Sequence, residues 1–269
     1  EGGDALIVPL NVVEGGQASP QDTHMNTFSG THSVKEMLIK ANSETILSVA
    51  PGETETEVMQ ETLSKFFKRQ AKSILPKLGA KAANWWDSDR WEEELAEDLT
   101  PIMQEIAQNH GLTMAEALGS EFSVEQIINY VRKTAEARSK IINEETFKKL
   151  REAIEKALDN GEDQREAAGH EFEKREGFDA LLLGGLLAKK MTGFGTEEAV
   201  RQARNQGIKR TVYKEWVTGR NARDSHSAMN GQRVLIDDPF SNGANWPGDD
   251  NLSPDESCGC NCTTVVIVE

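Results

Sequence analysis

From Glu57 onward the apolar residues recur at helical intervals. Met59, Leu63, Phe66, Phe67, Ala71 and Ile74 are spaced by 4, 3, 1, 4 and 3 residues, a single stripe on the 3.6-residue period. Lys65, Lys68, Arg69 and Lys72 take the other side, and Pro76 with Gly79 ends the helix. Such a stripe faces a core or a partner, and the basic run reads as a solvated face. The pattern predicts a second helix from Trp91 through Leu95 and Leu99. Thr100-Pro101 fits the N-cap and first-turn proline of a restart carrying Ile102, Met103 and Ile106. Ile127, Ile128, Val131 and Ala135 mark a third helix. Asn143, followed by Glu144 and Glu145, fits the cap of a fourth, with Phe147, Leu150, Ile154 and Leu158 as its stripe and Gly161 as its stop. Residues 162–178 are charged and nearly free of large apolar side chains, which predicts an exposed helix or connector. Residues 178–191 are apolar and of helical length, and Gly184 and Gly185 make them mobile or closely packed. Thr196 fits the N-cap of a helix through Ala199, Val200 and Ala203 that ends at Gly207.

The two ends of the chain differ from this helical middle. Residues 5–13 read as a short extended segment in which Pro9 marks an edge or an end. Residues 15–31 have linker composition, a short helix is expected around residues 34–47, and residues 50–56 are weakly structured. Near the C-terminus, residues 210–217 alternate, residues 233–236 are strand-like, and residues 263–268 form the strongest strand pattern in the chain. Gly, Asn, Asp and Pro between them give the composition of ordered loops. The expected fold class is α+β: a long, mainly α-helical stem followed by a small α+β C-terminal module. The boundaries fall at 1–54 for the tail segment and flexible linker, 55–189 for the stem and 190–269 for the module.

Composition narrows the function classes. A chain of 269 residues allows one or two domains, and 9 Phe, 5 Trp and 2 Tyr favour one compact domain with a long helical region over two sizeable cores. Lys plus Arg is 30 against 45 Asp plus Glu, a net charge of −15. That balance repels a phosphate backbone, so no strong nucleic-acid binding is expected. Such binding would need Lys65, Lys68, Arg69 and Lys72, or Arg201, Arg204, Lys209 and Arg210, to form a continuous basic surface. The longest apolar run, residues 180–188, is about nine residues against roughly 20 for a bilayer span, so no membrane span is expected. The sequence starts at Glu1 without Met or a basic leader and is read as an internal piece or processed product.

One constellation carries chemistry. His226 and the clustered Cys258, Cys260 and Cys262 offer imidazole and thiolate donors of the kind that hold Zn²⁺, with His226, Cys260 and Cys262 as the candidate ligands. Against this, Cys-x-Cys is tighter than the usual spacer and no fourth ligand is obvious. The bland alternative is a buried, hydrogen-bonded His226 beside packed thiols. A disulfide between Cys260 and Cys262 would close a strained ring. Asp224, Ser225 and His226 are adjacent and cannot converge as a triad, which is assembled from distant parts of a fold. Cys262 with His226 could serve as nucleophile and base, but no oxyanion donor is evident. Trp85, Trp86 and Trp91 read as core or helix-end packing rather than an exposed contact.

The C-terminal residues resemble the phage Mu F-type head morphogenesis (minor capsid protein) family. The resemblance runs through Phe194-Gly-Thr-Glu-Glu-Ala199 and Gln202-Ala-Arg-Asn-Gln-Gly207, a basic strand to Trp216, and Arg223-x-x-His226. It continues through Ala228-Met-Asn-Gly231-Gln232, Phe240-Ser-Asn-Gly243, Trp246-Pro247-Gly248-Asp249 and Gly259-Cys260-x-Cys262. No one motif is specific; their order is. Residues 86–153 resemble the family's helical half more loosely. Two features depart from the family pattern: Gly219-Arg220-Asn221 stands where many members carry an Asp, and Cys258 has no clear counterpart. Residues 5–20, with Leu6-Ile-Val-Pro-Leu-Asn11, resemble the C-terminal end of a tailed-phage portal protein, so the chain is similar to the downstream part of a portal–Mu F fusion. The resemblance implies a virion structural protein inside the capsid, made in the host cytoplasm and associated with portal, capsid and scaffold proteins. The alternative is a metal- or thiol-dependent hydrolase or toxin-like enzyme using His226, Cys260 and Cys262. Toxin domains fused to family members follow the module, and this sequence stops just after its last strand.

Overall fold

The computed structural model describes residues 38–41, 44–79, 84–249, 251–257 and 259–269. The expected extended segment at 5–13 and the linker at 15–31 lie outside them, as does Cys258. Two strands open the described chain, β1 (Leu38–Ala41) and β2 (Glu44–Val49), and five helices follow. These are α1 (Glu53–Ile74), α2 (Ser88–Leu118), α3 (Glu125–Asn160), α4 (Gln164–Lys174) and α5 (Ala180–Asn205). The C-terminal part holds β3 (Val212–Val217), the single turn α6 (Asp224–Ser227), β4 (Arg233–Leu235), the single turn α7 (Pro254–Ser257) and β5 (Thr263–Val268). The expected α+β class, a helical stem with a small α+β module, is what the chain forms.

The stem core follows the stripe read from the sequence: Met59, Leu63, Phe66, Phe67, Ala71 and Ile74 are all buried on α1. They meet Trp91, Leu95, Leu99, Met103 and Ile106 of α2 and Ile127, Val131 and Ala135 of α3. Phe66 stands edge-on to Trp91 at 6.0 Å, and Trp85 and Trp86 pack on Phe147. The basic side of α1 is exposed and partly neutralised, Lys65 by Glu61 and Arg69 by Glu94 and Asp98. The second basic set is similarly engaged, with Arg201 on Glu198 and Arg204 on Asp237.

Three expected helix starts are interior positions instead. Thr100 and Thr196 turn their hydroxyls back to the carbonyls of Ala96 and Thr192, so α2 runs on through the exposed Pro101 and α5 through Thr196. Asn143 is buried in the middle of α3. Its Oδ1 accepts from Gln70 Nε2 at 2.7 Å, and its Nδ2 donates to the carbonyls of Trp91 and Ser139 at 3.0 and 2.8 Å. This polar contact crosses three helices inside an apolar core, where each unsatisfied group would be costly. Rotation of the actual α3 stripe leaves Ile128 and Leu158 exposed. Between α4 and α5, residues Arg175–Asp179 form a π-turn in which Arg175 is buried, pairs with Asp179 at 3.0 Å and lies over the Phe67 ring.

Residues 34–47 were expected to be helical, but 38–41 and 44–49 form a β-hairpin. Within the described part of the 1–54 segment, 38–41 and 44–49 are strand, and α1 begins at Glu53, inside the 50–56 stretch expected to be weakly structured. The reason for the hairpin is distant in sequence: β2 pairs antiparallel with β5, Leu47 opposite Val266. The sheet order is β1-β2-β5-β3-β4, antiparallel throughout. Leu47, Val49, Val212, Val266 and Val268 pack on Met114, Ala115 and Leu118 of α2 and Ala199, Val200 and Ala203 of α5. The boundary expected at 189/190 falls inside α5, and residues 34–269 form one compact unit.

Helix α5 serves both cores because its glycines admit close neighbours. A Cβ on Gly184 would stand 2.8 Å from the Gln60 backbone, one on Gly193 2.6 Å from the Trp246 ring, and one on Gly195 2.1 Å from the Ala107 carbonyl oxygen. Gly185, by contrast, faces open space. Gly185→Ala should therefore raise stability by up to about 1 kcal/mol through helix propensity. Gly195→Ala should lower it by about 1–3 kcal/mol through overpacking. Urea midpoints moving in opposite directions would bear this out.

At the start of α1, Glu55 Oε2 accepts from the Gly52 N–H at 2.8 Å and meets His110 Nε2 at 3.0 Å, and its Oε1 accepts from Asn109 Nδ2 at 3.2 Å. Burial alone would raise its pKa, but the His110 contact, the Gly52 N–H and Asn109 together carry it below the ordinary 4.5. A lowered folded value means that the stabilisation is complete above pH 4.5 and is lost as pH falls through the folded value. Denaturation between roughly pH 6 and pH 3 should show this acid limb. Glu55→Gln should flatten it.

Candidate functional site

The residues singled out in the sequence converge around Trp216, the last inward-facing position of β3. Trp216 is fully buried, with Phe240 edge-on at 5.1 Å and His226 edge-on at 5.3 Å. Two backbone bonds fix the turn that carries His226 back to the sheet: Gly231 N–H donates to Trp216 O at 2.8 Å, and Trp216 N–H to Gln232 O at 3.0 Å. Gly231 sits at φ 76° and Gly243 at φ 83°, the left-handed region that other residues enter at a steric penalty. Gln232 Oε1 accepts from both the backbone and hydroxyl of Ser241, tying the loop that presents Phe240. Gly243 closes that loop, its N–H donating to Phe240 O at 2.8 Å. Trp246, Pro247 and Gly248 are buried against α5, Trp246 on Gly193 and Gly248 beside Leu186. Asp249 caps the turn by accepting from Asn245 N–H at 2.6 Å.

His226, Cys260 and Cys262 meet beside Trp216. Sγ of Cys260 lies 3.5 Å and Sγ of Cys262 3.7 Å from the same ring nitrogen, His226 Nδ1. Among the described residues these three are the group whose potential ligand atoms gather within 4.8 Å of one another. Both cysteines are free thiols. All three are buried: His226 and Cys262 are 1% exposed and Cys260 is 7% exposed. The hydrogen bond from Cys260, the Gly219 N–H and His226 together hold the Cys262 thiol down at about 5 despite burial. The same contact with Cys262, together with burial, pushes the Cys260 thiol well up.

Two residues that the sequence did not mark complete the surroundings. Glu256 on α7 places Oε2 2.8 Å from His226 Nε2, on the side away from the thiols, though off the line of a good hydrogen bond. It also accepts from Ser225 Oγ at 3.0 Å. Lys189 of α5 donates to the Cys260 carbonyl, and burial draws its pKa down. Arg223, at the start of α6, reaches the Glu256 carbonyl at 3.4 Å. Nothing in spacing marks Glu256 or Lys189. Their roles arise from two single-turn helices and a distant helix meeting at the start of β5.

A second buried polar group lies two residues before Trp216. Lys214 is fully buried, its ammonium 5.0 Å from the Trp246 ring centre and 5.5 Å from that of Phe240, with no hydrogen-bond partner among the described residues. Its counter-charge is Glu197 at 3.7 Å, whose carboxyl is more open. Burial lowers the Lys214 pKa and raises that of Glu197, so desolvation weakens the pair from both sides.

No family model, no curated protein and no solved structure matches the chain. The site therefore stands on its own geometry.

Lys214→Met keeps the volume between the two rings and removes the desolvation penalty, so its thermal midpoint should equal or exceed that of the parent. Glu197→Gln strands the buried ammonium and should lose about 3 kcal/mol. Paired thermal melts of the two variants check the contrast.

Proposed function

We propose that the chain is a phage virion structural protein, a minor head or head-morphogenesis component held at the portal vertex inside the procapsid, with portal, capsid and scaffold proteins as partners. It is made in the host cytoplasm and enters the capsid during assembly. One observation carries the reading. Of the motif residues that resemble the Mu F-type family, His226, Phe240, Cys260 and Cys262 pack around Trp216, Gly231, Gln232 and Gly243 form the turns that bring them there, and Trp246 and Gly248 pack on α5. A resemblance made of scattered small residues and turns is expected to have this physical basis if the family shares a module.

The burial of His226, Cys260 and Cys262 favours a structural over a hydrolytic use of the same residues. A thiol- or metal-dependent hydrolase must bring a substrate carbonyl or phosphoryl group to its nucleophile. Here the imidazole and the more acidic thiol are each 1% exposed. Among the described residues no helix is long and apolar enough to cross a membrane. The net charge of −15 suits a protein that shares a confined space with DNA without adhering to it.

The test is the composition of particles. Precursor and mature heads from a producing culture, separated on a density gradient and digested for mass spectrometry, should both contain peptides of this chain at low copy relative to the major capsid protein. Recovery of the chain only from the free protein pool would overturn the reading.

A further inference from the structure

We infer that His226, Cys260 and Cys262 bind a single Zn²⁺ ion as a structural clasp, and that Glu256 is the outer partner orienting the imidazole. The inference concerns the folded chain itself and holds whether or not the chain belongs to a particle.

The geometry carries it. Zinc bonds of about 2.0–2.1 Å to imidazole nitrogen and about 2.3 Å to thiolate sulfur, set at tetrahedral angles, place nitrogen and sulfur about 3.6 Å apart. The two distances here are 3.5 and 3.7 Å, both measured to Nδ1. Both sulfurs face the same ring nitrogen, and one ion placed among the three atoms takes both as ligands.

The other face of the ring agrees. A metal-bound His commonly directs its second ring nitrogen to a carboxylate, which fixes the tautomer and strengthens the ligand. Glu256 Oε2 stands 2.8 Å from His226 Nε2, and Ser225 Oγ anchors the same carboxylate at 3.0 Å. Nδ1, on the opposite side of the ring, faces both sulfurs. Two soft thiolates with one imidazole select zinc over magnesium or calcium, which require oxygen donors. The ion would join α6, α7 and the start of β5, segments otherwise connected by loops. Among the described residues no fourth His, Cys, Asp or Glu joins the group.

The full chain, purified from zinc-supplemented medium without chelator, is expected to carry about one zinc per molecule by elemental mass spectrometry. Cobalt exchanged into the site should give thiolate charge-transfer and tetrahedral d–d absorption, a signature specific to sulfur ligation. Glu256→Gln removes only the outer carboxylate at a half-exposed position. It should fold and bind zinc about 10–100-fold more weakly in a competition titration with a chromogenic chelator. No metal above background in the parent, or cobalt spectra without thiolate bands, would overturn the site. Equal zinc affinity in parent and Glu256→Gln would overturn the role given to Glu256. A Cys260→Ser, Cys262→Ser double variant that folds and retains zinc would place the metal elsewhere and likewise overturn the site.

Discussion

The approach of neighbours to α5 governs the rest of the structure. This helix is the shared wall of two cores: α1 and α2 lie against it in the stem, and the sheet and the Trp246 loop lie against its C-terminal half. Side chains at Gly184, Gly193 and Gly195 would hold off Gln60, Trp246 and Ala107, respectively. Glycines lower intrinsic helix stability by about 1 kcal/mol each, so tertiary packing must offset that penalty. The offset here is direct contact between helix backbone and its neighbours, which puts two layers of different kinds in register with one rigid element.

The buried cluster depends on this arrangement. His226 and the two thiols come from segments with little secondary structure of their own, a one-turn helix and the strand start after another one-turn helix. They are held because Trp216 and Phe240 form a floor beneath them and Lys189 of α5 bonds the Cys260 carbonyl. The cost of burial is visible nearby in Lys214, whose ammonium finds aromatic faces and the Glu197 carboxylate at 3.7 Å but no hydrogen bond among the described residues. A small module rich in glycine and asparagine turns contains little apolar volume, so a zinc ion bound at His226, Cys260 and Cys262 would offset that lack.

Local periodicity was a reliable guide where packing follows a single stripe. All six apolar positions read on α1 are buried, and β3, β4 and β5 lie within the three stretches read as strands, of which the first alternates. Capping grammar was less reliable, because Thr and Asn have two uses. At a helix start their oxygens accept from free N–H groups. Inside a helix a Thr hydroxyl donates to the carbonyl four residues back, as Thr100, Thr146 and Thr196 do. Asn143 followed by two glutamates looks like a cap, yet its amide spans to Gln70 and Trp91, partners no local window contains. The hairpin at residues 38–49 was hidden for the same reason, since β2 is a strand by virtue of β5. At the site, His226, Cys260 and Cys262 were visible as residue types, while Glu256 was one acidic residue among many.

The placement of β5 has a kinetic meaning. It is the last of the described elements in sequence and the middle strand of the sheet, flanked by β2 on one side and β3 on the other. During synthesis the helices can assemble from contacts between near neighbours, but the two halves of the sheet have no common partner until this strand emerges. Joining residues 44–49 to 264–268 closes a loop of more than two hundred residues, a slow step by the usual dependence of folding rate on sequence separation. Until then two apolar strand edges stand open beside a formed helical body, so the nascent chain passes through a stage in which strand exchange with another copy competes with its own completion.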